Sequence, residues 1–254
     1  MEQKVKLRAK NISKIFFGKE QDVFAVDDIS LDVKENEFLV ILGPGQCGKS
    51  VFINTISGLL TPTVGSVEID GEQISGCSRK ISVVFQKTGI MFWKNTMQNV
   101  ELGLKYAGVK RKDRAKIAQK YIDLVGLQGF EKSYPSQLSG GMKQRVGIAR
   151  AYASDPEVLM MDEPFGALDA QTRYAMQAEI LRIWEQNKRT VIFITNNIEE
   201  AVYLGDRIIL FSMRPAHVKA EYSLESLPRP RDYMSKEFLA IREMIESNAD
   251  LALQ

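Results

Sequence analysis

The chain has 254 residues, enough for one large domain or a core with a small subdomain, and enough to bury a sizeable apolar core. Its 34 Lys and Arg nearly balance 32 Asp and Glu, so a net charge of +2 gives no general electrostatic case for nucleic-acid binding. No run approaches the ~20 apolar residues that cross a bilayer, and the charged opening MEQKVKLRAK lacks the apolar region of a signal peptide, so service to a membrane is expected only from its cytoplasmic face, through another subunit.

Val5, Leu7 and Ala9 alternate with Lys6, Arg8 and Lys10, and Ile29, Leu31 and Val33 alternate with Ser30 and Asp32. Both patterns predict half-exposed antiparallel strands. Phe38–Leu42 is a continuous apolar run, expected as a strand buried on both faces. A helix should run from Lys49 to about Gly58, and a second buried strand over Ile81–Phe85 should end at Gln86. From Trp93 to about Arg150 the pattern is helical, with turn signals at Gly108, Gly126–Gly129 and Pro135. Within it, Lys110, Arg111, Lys112, Arg114, Lys116 and Lys120 face only Asp113. Ile117, Tyr121, Leu124 and Val125 follow at helical spacing, so these charges are expected as the wet face of an amphipathic helix.

Strands are expected again at Val158–Met161, Thr190–Thr195 and Arg207–Phe211, with helices near Ala170–Asn187 and Ile198–Leu204. Met176, Ile180, Ile183 and Trp184 give the first of those helices a core-facing stripe. After Pro228 and Pro230 a short helix should start at Ser235, with Phe238, Ile241 and Ile245 turned inward. The predicted architecture is a parallel α/β core over about 1–86 and 155–230, an N-terminal antiparallel patch, a helical subdomain over about 87–154, and a helical tail over about 231–254.

GPGQCGKS at Gly43–Ser50 fits G-x-x-x-x-G-K-[ST], a loop that cradles nucleotide phosphates. A triphosphate carries about four negative charges, so its site must supply donors without bulk. Gly43, Gly45 and Gly48 let backbone N–H groups turn inward, and the following helix aims its positive end at the same point; Gln46, Cys47 and Val51 complete the binding segment, with Pro44, which has no N–H, as its bend. Lys49 adds a point charge, and the Ser50 hydroxyl is placed to hold Mg²⁺. A disulfide at Cys47 would distort this cradle, so Cys47 and Cys77 are expected as free thiols. Asp162 and Glu163 close the apolar run VLMMDEP and, as neighbours at a strand end, should point opposite ways. Asp162 would then hold the metal through its water shell, and Glu163 would take a proton from the attacking water.

LSGGMKQR at Leu138–Arg145 lies between those two segments, and the ordered set resembles the ATP-binding-cassette (ABC) ATPases over essentially the whole chain. The resemblance implies a P-loop NTPase core, ATP and Mg²⁺ as cofactors, and a motor subunit working with transmembrane permease subunits and, indirectly, a solute-binding protein. It makes Gln86 a sensor of Mg²⁺ and the attacking water. It makes Ala167, Leu168 and Asp169 a crossing segment at a dimer interface, and Phe16 (or Phe17) a partner for the adenine ring. Ser139, Gly140 and Gly141, expected as an exposed helix N-terminus, would close on ATP held by a second ATPase subunit. FQKTGIMFWKN and RPRDYMSKEF most resemble importers of the nitrate, sulfonate and taurine type. Met91, Phe92 and Trp93 are then expected as a docking patch for the permease, with core packing of Trp93 as the alternative.

One departure stands out. Where related ATPases place a histidine after the strand Thr190–Thr195, this chain has Asn196, although Glu199, Glu200, Ala201, Val202 and Asp206 keep the pattern. The lone histidine, His217, falls in a later strand-like segment and is expected at the surface. Asn196 implies either slower turnover or a subunit that binds ATP but hydrolyses it poorly. A non-transport ABC ATPase is the further alternative, although such chains carry two cassettes or long coiled-coil insertions.

Overall fold

The structure is a computed structural model that describes residues 4–166 and 168–248, so Ala167 of the expected crossing segment, the first three residues of the opening and the end of the tail lie outside it. The chain divides into two compact units, Met1–Ser78 with Arg189–Gln254, and Arg79–Lys188. Strands at 81–84 and 158–162 and the helix at 170–186 therefore group with the helical segment, a different cut from the functional division expected above.

The first unit opens with the antiparallel strands β1 (Val5–Phe16) and β2 (Val23–Lys34), paired from Val5↔Lys34 to Phe16↔Val23. β1 also pairs with β4 (Val64–Ile69), which continues to the two-residue β5 (Glu72–Gln73). Leu7, Ala9, Ile29, Leu31 and Val33 are buried as the alternation requires. Lys6, expected outward, is 7% exposed because Asp70 takes its ammonium at 2.8 Å. The charge is sheltered only where a carboxylate meets it.

β3 (Phe38–Leu42) and β8 (Thr190–Thr195) are apolar throughout or nearly so, and every residue in both is buried. They pair in parallel, Phe38↔Val191 to Leu42↔Thr195, and β3 pairs in parallel with β9 (Arg207–Phe211), Leu39↔Arg207 to Leu42↔Leu210. Since the two registers agree, the segments that follow β3 and β8 leave the sheet side by side at its carboxyl edge. β10 (Val218–Ser223) adds antiparallel to β9. Helices α1 (Lys49–Ile56), α7 (Ile198–Leu204) and α8 (Lys236–Asn248) complete the unit. Phe52 of α1 meets Phe211 edge-on at 5.4 Å, an aromatic contact at the base of the loop that joins β3 to α1. On α8, Phe238 and Ile245 are buried as expected, but Ile241 is half-exposed.

In the second unit β6 (Ile81–Val84) pairs in parallel with β7 (Val158–Asp162), Ile81↔Val158 to Val84↔Met161. Only Val84 of β6 is buried, so this is a half-exposed strand rather than the fully buried one its apolar run suggested. Helices α2 (Thr96–Val100), α3 (Leu102–Tyr106), α4 (Arg111–Leu124), α5 (Gly140–Ala153) and α6 (Ala170–Gln186) follow. On α4 Arg111, Lys112, Lys116 and Lys120 face solvent, Arg114 is half-buried and donates to the Val109 carbonyl at 3.0 Å, and Ala118, Tyr121 and Ile122 are buried, with Tyr121 stacked on Tyr152 of α5 at 6.2 Å. Ile117 and Leu124 are only half-buried, one step round the helix from the true stripe. Met176, Ile180, Ile183 and Trp184 are buried on α6, as expected. Among the described residues no helix is long and apolar enough to cross a membrane.

Candidate functional site

The loop from Gly43 to Gly48 joins β3 to α1 and admits little side-chain volume. A Cβ on Gly48, whose φ is +123°, would stand 2.4 Å from the Ala25 carbonyl oxygen. One on Gly43 would meet Phe211 Cβ at 3.1 Å and Cys47 Sγ at 3.3 Å. Gly45 by contrast faces open space, and it and Gln46 are exposed, with Gln46 held at φ +60°. The loop thus packs its two flanking glycines against its own unit and leaves its crown open. Such a crown suits a ligand approached by backbone N–H groups.

Lys49 is 3% exposed, and its ammonium donates to the carbonyl oxygens of Gly43 at 2.9 Å and Pro44 at 2.7 Å. A cation buried in this loop at the N-terminus of α1 favours an anion at the loop's open crown. Ser50 is exposed in the first turn of α1. Cys47 and Cys77 are both free thiols, the former buried in the loop and the latter exposed.

Asn196 leaves β8 beside this loop, because Thr195 pairs with Leu42 and Gly43 follows Leu42. Its side chain is exposed, whereas the residues around it are fixed. The Thr195 hydroxyl donates to the buried Glu200 carboxylate at 2.6 Å and accepts from the Asn197 N–H at 3.0 Å. Asn197 in turn caps α7 by accepting from the Glu200 N–H at 3.0 Å. Glu200 keeps the family pattern in the sequence, but its pairing with Thr195 does not show there, although Asn197 followed three residues later by Glu200 is a helix-start signal. His217 is exposed, with its Nδ1 2.8 Å from the Ser212 Oγ, and belongs to no part of this edge.

Phe16 ends β1 with its ring 41% exposed and the Lys14 ammonium 5.3 Å from its centroid, while Phe17 is 75% exposed. Either ring is free of the core, and the covering lysine leaves Phe16 the more organised surface.

In the second unit the matched ends of β6 and β7 deliver Gln86 and Glu163 together: the Gln86 amide donates to the Glu163 carboxylate at 3.3 Å. Asp162 is the last residue of β7 and 7% exposed. Strand alternation does not set the direction of Glu163. Its φ is +42°, a left-handed turn for a non-glycine residue, so it leaves the strand altogether. Strain of that kind is held only where surrounding contacts over-determine the backbone. One such contact is the Gly166 N–H, which donates to the Glu163 carbonyl at 3.2 Å.

Ser139 is the N-cap of α5, accepting from the Met142 N–H at 3.3 Å, and Gly140 opens the helix fully exposed. The first N–H groups of that helix have no intrahelical acceptor, so its end can bind an anion. Asp169 caps α6 through the Thr172 N–H at 3.0 Å, and hydrogen bonds from Thr172 hold its carboxyl below the usual range. It therefore has a local structural role in addition to any at an interface.

The loop 87–95 exposes Phe92 at 72% and Trp93 at 71%, which excludes core packing of Trp93. Its shape comes from a residue the sequence reading missed. Asn99, 0% exposed on α2, accepts from the Met91 N–H at 2.7 Å and donates to the carbonyls of Met91, Lys94 and Asn95 at 3.2, 2.9 and 3.0 Å. A polar residue between Met97 and Val100 was its only trace in the sequence.

Comparison with known proteins agrees with this assembly of parts. The ABC transporter family model matches residues 26–166. An ABC transporter ATP-binding protein of Methanocaldococcus jannaschii is 48% identical over 242 residues, covering 95% of this chain and 90% of that protein. The taurine import ATP-binding protein TauB of Rhizobium johnstonii is 46% identical over 207 residues, 82% of this chain and 79% of its own. The nitrate import ATP-binding protein NrtD of Synechocystis is 39% identical over 249 residues, covering 95% and 94%. Among solved structures, a dimeric ATP-binding cassette in a post-hydrolysis state bound to ADP and phosphate superposes with a TM-score of 0.76 at 33% identity, covering 86% of this chain and 98% of that one. With a phosphate-type loop at the sheet's carboxyl edge and relatives matched across nearly their whole length, this chain belongs to the ABC transporter family, as one of its ATP-binding subunits.

Proposed function

We propose that this chain binds and hydrolyses ATP as a peripheral motor on the cytoplasmic face of a membrane, driving import of a small anionic or sulfonate-like solute through permease subunits. The observation that carries the hydrolysis is the Gln86–Glu163 contact at the matched ends of β6 and β7. In this reading Gly43–Val51 hold the phosphates through backbone N–H groups and Lys49, and Glu163 takes the proton of the attacking water. Phe16 stacks on adenine.

Ser50, Gln86 and Asp162 offer hydroxyl, amide and carboxylate oxygens, a donor set suited to Mg²⁺. Gln86 fits this role in its present orientation, since the amide nitrogen faces Glu163 and the oxygen is left for a metal. Phosphate oxygens and water would complete the shell. Bound there, Mg²⁺ would supply charge neutralisation at the phosphate oxygens.

Taurine and nitrate, named for two relatives, share a small anionic head, which is the basis of the solute class. Ser139–Gly141 act on ATP held by a second subunit, so ATP forms part of a dimer interface. The Met91–Trp93 patch receives the permease, and a solute-binding protein acts upstream of it. Asn196 favours a second reading, an ATP-dependent partner with weak hydrolysis. Glu163→Gln separates the readings. It should lower turnover by ~10²–10⁴-fold, keep ATP binding, and accumulate an ATP-bound dimer on a sizing column. A variant that stays monomeric at saturating ATP refutes the composite site.

A further inference from the structure

The loop that follows Gln86 is gripped from two sides. Asn99 holds its far arm, as described. Its near arm is held by Arg150 in the last turn of α5. Nη1 donates to the Gly89 carbonyl at 2.9 Å and Nη2 to the Thr88 carbonyl at 3.1 Å. The guanidinium is half-buried, burial holds it below the usual arginine range, and among the described residues it pairs with no carboxylate. Two successive backbone carbonyls therefore receive its charge.

Gly89, at φ +54°, turns the chain so that both carbonyls face one planar fork. One helical turn earlier, a Cβ on Gly147 would stand only 3.6 Å from the Thr88 carbonyl oxygen, so α5 and the loop approach closely. One helix thus presents Ser139–Gly141 at its start and grips the loop two residues beyond Gln86 near its end.

We infer that Arg150 is a positioning residue for Gln86: it ties Thr88–Gly89 to α5 and so keeps the Gln86 amide against the Glu163 carboxylate. This rests on the reading above in which Gln86 and Glu163 act on bound nucleotide. Arg150 touches neither of them and works through the two carbonyls. Because the same loop carries Phe92 and Trp93 on its other arm, a displacement of either the patch or α5 is delivered to Gln86 through this fork.

The test is a double-mutant cycle on the purified full chain, with steady-state ATPase kinetics for wild type, Arg150→Met, Gln86→Ala and the double variant. Arg150→Met should lower kcat about ten- to a hundredfold, the size of effect expected from a misplaced reacting group, and leave the KM for ATP within about twofold. In the Gln86→Ala background the same change should alter kcat by less than about twofold, because the group being positioned is gone. Arg150→Lys, which keeps charge and stem but not the planar fork, should fall between wild type and Arg150→Met. An equal loss in both backgrounds marks Arg150 as merely structural and overturns the inference, as does an unchanged kcat. If Gln86→Ala alone leaves kcat unchanged, the reading of Gln86 fails and the inference fails with it. If Gln86→Ala lowers kcat and the two losses multiply, the inference alone fails. Should Arg150→Met not fold, as judged by its melting curve, the cycle with Arg150→Lys gives the same decision.

Discussion

Replacing Asn99 by alanine is the most direct way to ask what shapes the loop that presents Phe92 and Trp93. Four hydrogen bonds disappear, but the cost is smaller than that count suggests. The Asn95 carbonyl keeps its bond from the Asn99 N–H at 2.9 Å, and the Met91 carbonyl keeps its bond from the Lys94 N–H at 3.1 Å. Two groups lose their partner, the Met91 N–H and the Lys94 carbonyl. An unsatisfied buried polar group costs ~1–3 kcal/mol, and the exposure of neighbouring Phe92 and Trp93 lets water reach this turn, so the lower half of that range applies. For two such groups Asn99→Ala should therefore destabilise by about 2–4 kcal/mol, before any lost packing is added. For a chain of this length that is a fall in melting temperature of roughly 4–16 °C. Asn99→Asp keeps the volume but replaces the donor with an anion facing three carbonyls, and should be at least as damaging. Thermal melting followed by circular dichroism reads both variants. A loss under about 0.5 kcal/mol for alanine, or an aspartate variant clearly milder than alanine, would refute the account.

Asn196→His, at an exposed side chain whose backbone is fixed by Thr195, Asn197 and Glu200, should raise maximal ATPase turnover about five- to thirtyfold (~1–2 kcal/mol) with little change in ATP affinity; an equal or lower rate would mean that the site has adapted around asparagine. Trp93→Ala removes a 71%-exposed indole and should weaken co-purification with the permease while leaving the melting temperature and ATP binding unchanged. Asp70 accepts from Lys4 and Lys6, which hold its carboxyl well below the usual range. Its contribution is therefore present above the unfolded-state value near pH 4 and fades as pH falls further, so Asp70→Asn should lower stability at pH 7 and converge on wild type in strong acid, read by denaturant titration at several pH values.

Much of the first unit could be read directly. The apolar runs Phe38–Leu42 and Thr190–Thr195 specify strands buried on both faces, because a continuous run has no face to offer water. The glycine-lysine-serine loop was legible because phosphate binding demands small residues and one cation at fixed spacing, and Gly48 indeed sits where a Cβ would strike the Ala25 carbonyl. The Asn197 cap of α7, three residues before Glu200, is local in the same way. These features depend on residues only a few positions apart, which a sequence displays.

What the sequence could not display was decided by pairing across distance. Strand alternation suggested how Glu163 turns from Asp162, but the chain takes a left-handed step there, a local strain held in place by tertiary contacts. The register of β3 with β8 puts Asn196 beside the phosphate-type loop, and that of β6 with β7 puts Gln86 against Glu163. Neither follows from spacing along the chain. Arg150 reads as an ordinary helical charge until folding sets it against the carbonyls of Gly89 and Thr88, 61 and 62 positions away, whereas the partners of Asn99 lie within eight positions and went unread because a lone helical asparagine carries no motif. The sequence by itself determined the kinds of chemistry present. Tertiary structure decided which groups meet, because a buried carbonyl must find its donor wherever the fold brings one within reach.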